Sequence, residues 1–174
     1  LLSKGAYGYI LFKSLMVALA VTAITVVLAY PVAYFVSFHI KPERKSLWLF
    51  LITIPFWTSY IIRVSLWFVI LGYDGVLDKT LMSLGIIDTQ LNFSSYAIPA
   101  IIFVLAHAYA PFAVLPIFVS LEKVDRSLLE AGQDLGESRW ATFLRVTLPL
   151  SMPGVIASSL IVFIPTVGDY VTPK

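Results

Sequence analysis

The chain has 174 residues, of which 59% are hydrophobic and 13% are charged, and its mean hydropathy is +0.91. A soluble domain carries about 25% charged residues, so this composition excludes a soluble globular protein and indicates a protein that lies in a lipid bilayer. The formal net charge is only +2 and the basic residues are not clustered, which excludes nucleic acid as a partner; the absence of cysteine excludes disulfide and thiolate chemistry.

Four long apolar segments follow one another along the chain and predict an all-α, polytopic transmembrane helix bundle. They cover about residues 12–38, 46–72, 96–121 and 150–168. Each is long enough to cross a hydrocarbon core of ~30 Å as a helix, which takes about 20 residues. We therefore expect residues 1–174 to form a single membrane domain with about four spans. Because the first residue is leucine and the last follows an apolar run, we expect this domain to be part of a longer protein.

The connections between the spans differ in charge. Residues 39–45 form a short basic turn, residues 73–95 form a polar, largely acidic connection with a short helix expected at 81–87, and residues 122–149 form a long charged loop. Seven of the twelve lysines and arginines lie in the first and third connections, namely Lys41, Arg44, Lys45, Lys123, Arg126, Arg139 and Arg145. Because cytoplasmic loops carry an excess of basic residues, this asymmetry places residues 122–149 in the cytoplasm.

The loop at 122–149 has the pattern of two short amphipathic helices joined by a glycine. Asp125 is a typical N-cap, Ser127 and Glu130 have capping-box spacing, and Gly136 can end the first helix in the left-handed conformation. The apolar face of this helix would consist of Leu128, Leu129, Ala131 and Leu135. The pattern predicts a compact element on the membrane surface that another protein can hold; the alternative is an amphipathic loop that rests on the lipid.

The second short helix begins after Ser138, which we expect to be its cap, and Pro149 is expected to separate it from the fourth span. Trp140, Phe143 and Leu144 share a face of this helix. The two aromatic side chains can anchor the loop to its own membrane domain, to a partner protein or to the membrane interface, where tryptophan is common. These three roles stay open.

The same loop carries a motif. Its residues are Glu130-Ala131-Gly132, then Gly136 after three residues, Val146 after nine more, and Leu148-Pro149 after one more. This spacing resembles the EAA loop of bacterial ABC importer permeases; Gly132 stands where a second alanine is usual and Val146 where isoleucine is common. The resemblance implies the type I (MetI-like) permease fold, with the loop docked into a cytoplasmic ATPase subunit. The docking residues that it implies are Glu130, Ala131, Gly132, Gly136, Arg139, Phe143, Leu148 and Pro149.

Three further stretches look like the spermidine/putrescine branch of that family: residues 30–34, residues 55–59 with Arg63, and residues 168–173. The resemblance implies a bacterial inner-membrane importer in which two permease subunits stand between two cytoplasmic ATPases and an extracytoplasmic solute-binding protein. It implies no cofactor in this chain, with ATP and Mg²⁺ on the partner ATPase, and one further span at each end. Spermidine or putrescine is the implied substrate, and the branches for iron, sulfate, thiamine and phosphonate stay open as alternatives.

The chain has no Gly-rich phosphate loop that ends in Lys-Ser or Lys-Thr, so the energy for transport must come from another protein. We expect closure of an ATPase dimer to push the helix at 130–135, and the third and fourth spans to carry this motion through Pro149. Alternating access would follow as packed helices rock against one another. We expect no catalytic residues and no metal site in this chain.

Charge inside the spans marks candidate residues of the transport path. Arg63 costs roughly 2.5–3.5 kcal/mol at mid-span, so it should face a partner or a wet cavity, and Asp169 at the outer end of the fourth span is the expected partner. The pair can form a gate or simply hold two helices together. Alternatively, Arg63 can extend outward and Asp169 can face a cationic substrate. Tyr60 and Tyr109 can line the path through cation–π contacts or lie in an interfacial belt.

Two other classes of protein fit parts of the pattern. Asp74 and Asp169 are similar to the paired aspartates of intramembrane proteases, but Thr166 replaces the first glycine of their Gly-x-Gly-Asp signature and Asp74 lies in a polar connection. A secondary transporter would also need kinked helices and charge within the membrane. It would not need the loop from Glu130 to Pro149, and this loop favours the importer.

Overall fold

The computed structural model describes the backbone of residues 4–72, 74–89 and 93–171; the side chains that it describes exclude those of residues 4–7, 60, 64, 68, 93–97 and 169–171. The all-α expectation is confirmed, and no strand occurs in these ranges. In chain order the elements are α1 (Lys4–His39), α2 (Pro42–Trp57), α3 (Tyr60–Leu71), α4 (Val76–Ser83), α5 (Phe93–Glu122), α6 (Arg126–Asp134), α7 (Arg139–Thr142), a π-helical turn (Phe143–Thr147) and α8 (Leu148–Val171).

The core is formed by three long helices, α1, α5 and α8, which pack against one another. Small and β-branched side chains dominate it, because lipid already solvates large apolar groups and helices in a membrane gain instead from close backbone approach. The buried apolar cluster consists of Val17, Val21, Ala29, Ala33 and Val36 of α1, Leu105, Ala113, Val114, Ile117, Phe118 and Leu121 of α5, and Val162 of α8. The shorter helices lie outside this three-helix core.

Hydroxyl groups join the three helices. The Oη atom of Tyr30 on α1 and the Oγ atom of Ser151 on α8 are hydrogen-bonded at 2.7 Å. Ser158 on α8 donates its Oγ hydrogen to the carbonyl of Ala113 on α5 at 2.8 Å. These bonds fix which face of α8 lies against its neighbours, because polar groups in hydrocarbon find few other partners.

Helices α8 and α5 approach each other closely at Gly154. A Cβ atom at this position would lie 2.5 Å from the carbonyl oxygen of Pro116 and 2.7 Å from the Oγ atom of Ser120. Since the Pro116 oxygen is a backbone atom, an added methyl group forces the helices apart. Glycine is therefore required here by packing.

We expect Gly154→Ala to lower the free energy of unfolding by about 1–3 kcal/mol, the usual cost of an overpacked site. Gly168→Ala is the matched control on the same helix, because a Cβ there meets nothing within 4 Å. Thermal unfolding of the detergent-solubilised protein measures both. Equal midpoints for the two variants would contradict the close contact.

Among the described residues, three helical stretches are long and apolar enough to cross a membrane, namely Gly8–His39, Ile98–Glu122 and Arg139–Gly168. The predicted segment at 46–72 has a different form. It is broken after Trp57, and the stretch Pro42–Trp57 meets the stretch Ile61–Ser83 at an angle of 78°. Helix α2 contains Pro55 and ends at Trp57, and Thr58 after it has extended backbone angles (φ −79°, ψ 140°). The span expected at 46–72 therefore consists of a bent pair of helices.

The short helix of the second connection also differs from the expectation. It was predicted at 81–87, whereas α4 runs from Val76 to Ser83. Leu84 and Gly85 close it, with Gly85 in the left-handed region at φ 68°. The glycine that punctuates the segment therefore lies after the helix and not within it.

Candidate functional site

Helix α6 begins at a side-chain cap, as the sequence predicted. The Oδ1 atom of Asp125 accepts a hydrogen bond from the backbone N–H of Ser127 at 2.9 Å. This backbone hydrogen bond lowers the pKa of the Asp125 carboxyl below its usual value, because it stabilises the charged form. Asp125 takes the N-cap position, so Ser127 lies inside the first turn and does not serve as the cap of a Ser127–Glu130 capping box.

Gly136 ends α6, and its predicted left-handed conformation is confirmed at φ 85°. The N–H of Glu137 donates to the carbonyl of Gly132 at 3.0 Å, and the N–H of Gly136 donates to the carbonyl of Gln133 at 2.9 Å. This pair of bonds is the Schellman motif, which satisfies the last carbonyls of a helix and turns the chain sharply. The turn sets the length of α6 and directs the chain into α7.

A β-branched residue at Gly136 should open this turn. We expect Gly136→Val to speed hydrogen exchange of the amides at 132–137 roughly tenfold or more, because the left-handed region costs an L-residue about 1–2 kcal/mol. Gly136→Asn is the control, since asparagine tolerates that region and a Cβ at Gly136 meets nothing within 4 Å. Equal exchange rates in the two variants would show that the turn does not depend on the backbone conformation.

Helices α6 and α7 are packed closely at Gly132. A Cβ there would lie 3.2 Å from Oγ1 and 3.3 Å from Cγ2 of Thr142, which is buried. Ser138 caps α7, as predicted, by accepting from the N–H of Ala141 at 3.2 Å. The glycine that departs from the usual alanine of the motif therefore lies where the side chain of Thr142 on α7 takes up the space.

The link from α7 to the membrane differs from the prediction. Pro149 does not separate a short helix from the fourth span, because the helical stretch continues from Arg139 to Gly168. The π-helical turn lies in between, and the N–H of Leu148 donates to the carbonyl of Phe143, five residues earlier. Pro149 falls in the first turn of α8, where a proline is tolerated after the wider turn.

Aromatic contacts hold the loop to its own membrane domain. The ring of Phe143 lies edge-on to the rings of Tyr30 and Tyr34 on α1, each at a centroid distance of 5.8 Å. Trp140 stacks on Phe143 with a centroid distance of 5.3 Å and remains 68% exposed. Of the roles left open for these aromatics, Phe143 takes the anchor to α1, and Trp140 presents an open face.

The outer surface of the loop carries uncovered apolar side chains among its charged residues. No side chain of α6 is buried against the described part of the chain, and Leu135 is 85% exposed. Other exposed apolar residues of the loop are Leu128, Trp140 and Leu144. The motif residues differ in burial: Glu130, Ala131, Gly136, Arg139 and Pro149 are exposed, whereas Gly132, Phe143 and Leu148 are half-buried. The motif thus has residues that are exposed to solvent and residues that pack against the rest of the protein.

Sequence reasoning missed a polar cluster at the base of the loop, which joins α1, α2 and α5. The Oε1 atom of Glu122 accepts hydrogen bonds from Ser37 Oγ and from Lys45 Nζ, both at 2.6 Å. Arg126 donates to the carbonyl of Ser37 at 3.2 Å. The only signal in the sequence was an acidic residue at the end of an apolar span, because the partners lie 85 and 77 residues away.

Arg63 is buried, with 8% of its surface exposed, and its guanidinium binds backbone carbonyls. It donates to the carbonyl of Thr58 at 3.0 Å, to that of Ala108 at 3.3 Å and also to that of Pro55. Two of these three carbonyls belong to the end of α2. The positive charge therefore lies at the negative end of a broken helix, which is a favourable position for a cation.

The other residues proposed for the path are only partly placed. The side chains of Tyr60 and Asp169 lie outside the described residues, so the pairing of Arg63 with Asp169 stays a prediction. Tyr109 is half-buried on α5, and its ring lies 6.4 Å from that of Phe112. This group of residues is not brought together with the loop at 122–149 by any described contact.

Comparison with known proteins agrees with this architecture. The family model of the binding-protein-dependent transport system inner membrane component matches residues 26–174. The chain is 40% identical over 162 residues to the spermidine/putrescine transport system permease protein PotB of Escherichia coli (strain K12), covering 93% of this chain and 58% of that protein. It is 38% identical over 164 residues to the protein of the same name from Haemophilus influenzae, covering 94% and 57%.

A further relative is the inner membrane ABC transporter permease protein YdcU of Escherichia coli, with 32% identity over 177 residues, covering 95% of this chain and 56% of that protein. The chain therefore spans a little more than half the length of these relatives. The family match includes the C-terminal part of α1 from residue 26, the whole of the loop and α8. The chain belongs to the family of binding-protein-dependent transport system inner membrane components, and it is an inner-membrane protein.

Proposed function

We propose that the chain is the membrane-spanning permease part of an ATP-driven importer that passes a polyamine, spermidine or putrescine, from an extracytoplasmic binding protein into the cytoplasm. The observation that carries the proposal is the uncovered apolar surface of α6, held at a fixed position by its caps and by Phe143. The polyamine is supported by the names of two of the relatives described above.

The surface of α6 suits a partner with a groove. Short amphipathic helices commonly bind other proteins by laying their apolar face into such a groove. Leu128 and Leu135 supply this face, and the turn at Gly136 leaves the helix only nine residues long. We infer that the partner is a cytoplasmic ATPase dimer, which binds ATP and Mg²⁺. Glu130 and Arg139 would provide the exposed charges of the contact.

Transport in this proposal proceeds by alternating access. The core of α1, α5 and α8 would rock against a second permease subunit when the ATPase dimer closes. The continuous helical stretch Arg139–Gly168 supports this proposal, because a push on α7 acts directly on the axis of α8. Aromatic rings near the bent pair, such as Trp67 against Phe103 at 5.0 Å, are candidates to contact the ammonium groups of a polyamine.

Docking is tested with the full-length protein and its candidate ATPase. Residues 130–136 are replaced by a Gly/Ser linker of equal length, and the control replaces residues 80–86, which lie in and after α4 on the opposite side of the membrane in the predicted topology. We expect the ATPase to co-purify with the wild type and the control and to be lost with the first variant. Binding that survives replacement of 130–136 would remove the basis for the docking role.

The substrate is tested by uptake in cells that lack their own polyamine importers. We expect ATP-dependent uptake of labelled spermidine or putrescine that requires the matching binding protein. Uptake driven by an ion gradient without ATP would instead indicate a secondary transporter. ATP-dependent uptake of iron, sulfate, thiamine or phosphonate, with no polyamine uptake, would assign the chain to another branch of the family.

A further inference from the structure

The turn between α5 and α6 is bound at both ends to one residue of α1. Only residues 123–125 separate Glu122, which ends α5, from Arg126, which begins α6. The Oγ atom of Ser37 donates to Glu122 at 2.6 Å, and the carbonyl of Ser37 accepts from Arg126 at 3.2 Å. A single buried residue therefore contacts both the end of a span and the start of the exposed helix.

Lys45 brings α2 into the same cluster. Its ammonium group lies 2.6 Å from the Oε1 atom of Glu122 and 6.0 Å from the centre of the Phe118 ring. A lysine at a membrane boundary normally extends its charge into the water. Here the side chain is turned inward, and only 9% of the residue is exposed. Its position is set by Glu122 and not by solvent.

Only the lysine of this ion pair is buried, because the side chain of Glu122 is 36% exposed. Removing a charge from water costs several kcal/mol, and the attraction to its partner often only offsets that cost, so the pair is not expected to add much stability. What the pair adds is a defined arrangement of the helices that carry it. Glu122 accepts two short bonds on the same oxygen, and these bonds come from α1 and from α2.

Arg126 extends the arrangement to the docking helix. It is the first residue of α6. Its guanidinium donates to the carbonyl of Ser37 and lies 5.8 Å from the centre of the Phe38 ring, both on α1. A shift of α6 therefore pulls on the last turn of α1. This connection is separate from the one through α7 and the π-helical turn.

We propose that Ser37, Lys45, Glu122 and Arg126 form a clasp that makes α6 move as one body with the cytoplasmic ends of α1 and α2. The clasp rests on the proposed function, in which α6 receives the motion of an ATPase. Its residues are positioning residues that convert movement of α6 into movement of the spans. Loss of the clasp leaves docking and ATP hydrolysis in place but separates them from transport.

The test uses the full-length protein with its ATPase, second permease subunit and binding protein in proteoliposomes. Lys45→Met and Glu122→Gln each remove one charge, and Lys45→Glu with Glu122→Lys reverses the pair. Lys123→Met is the matched control, because it removes an exposed charge one residue from Glu122 that is not part of the clasp. The two measurements are co-purification of the ATPase and the number of ATP molecules hydrolysed per solute imported.

We expect both single variants to bind the ATPase within about twofold of the wild type and to hydrolyse at least tenfold more ATP per solute. We expect the reversed pair to recover at least half of the coupling and Lys123→Met to behave as wild type. Normal coupling in the single variants, or no recovery in the reversed pair, overturns the clasp. A wild type that does not bind the ATPase overturns the proposed function itself.

A covalent version of the clasp guards against variants that do not fold. The 174 residues contain no cysteine, so Ser37→Cys with Glu122→Cys introduces the only thiols of this stretch. A short bifunctional thiol reagent then joins the two positions in the folded protein. We expect the unjoined double variant to be uncoupled like Glu122→Gln, and the joined protein to recover at least half of the wild-type coupling, because the reagent replaces the bonds that Glu122 made. Coupling that is normal without the reagent, or that is not improved by joining, overturns the proposal.

Discussion

Deleting Met152 is expected to abolish folding and transport, whereas deleting Arg145 is expected to preserve both. The difference comes from the π-helical turn, which holds one residue more per turn than an α-helix. Removing an exposed residue from that turn can be absorbed by its conversion to a regular α-turn, with Phe143 and Thr147 still facing the same neighbours. Removing a residue from a regular helix rotates everything on one side of the deletion by about 100°.

Met152 lies between two residues that hold α8 against its neighbours. Ser151 bonds Tyr30, and Gly154 contacts Pro116, so a rotation between them breaks one contact or the other. The deletion of Arg145 costs only the ion pair with Glu137, whose arginine side chain is 73% exposed and whose strength is about 0–1 kcal/mol. Membrane yield, thermal unfolding and uptake measure the outcome. Equal damage from both deletions would show that the π-helical turn cannot absorb a residue.

Arg63→Leu is expected to destabilise the bent pair of α2 and α3 strongly. The guanidinium supplies the hydrogen bonds of three backbone carbonyls, and hydrocarbon offers no water to replace them. A hydrogen bond to a charged group contributes about 1.5–3 kcal/mol, so the loss should total several kcal/mol. Arg63→Lys should recover part of the loss, because a lysine has a charge but lacks the planar set of donors.

Unfolding of the purified protein in detergent measures the stability of these variants. Labelling of Ser59→Cys by a water-soluble thiol reagent reports whether the break opens, and we expect faster labelling in the Arg63→Leu background. Arg44→Leu is the control, because Arg44 is an exposed arginine near the start of α2. Wild-type stability in Arg63→Leu would contradict the role of the guanidinium at the end of α2.

Three local features of the loop at 122–149 were predicted correctly from the sequence. The caps at Asp125 and Ser138 and the left-handed Gly136 each depend on atoms within five residues, so short-range patterns predict them. Hydropathy likewise predicts an all-α membrane protein, because a lipid-exposed backbone must satisfy its hydrogen bonds within helices. The motif residues indicated the family before any geometry was known.

Other features were decided by packing between distant parts of the chain. At the break after Trp57, a cation of α3 is hydrogen-bonded to a carbonyl of α5. Hydropathy alone indicates only a continuous apolar segment there. Phe143 is anchored by contacts with two tyrosines that lie more than a hundred residues earlier in the chain. Gly132 lies close to the side chain of Thr142 on α7. The sequence contains these residues but does not indicate which of them meet.

The sequence by itself determined the bilayer environment, the helical class, the ends of α6 and the family motif, because each arises from composition or from bonds between near neighbours. Only the tertiary structure decided that Glu122 meets Ser37 and Lys45, that Arg63 closes the end of α2, and that α7 continues into α8 through a π-helical turn. These contacts exist because α1, α5 and α8 pack at a particular register. That register is set by small buried residues such as Gly154, whose partner on α5 no local pattern identifies.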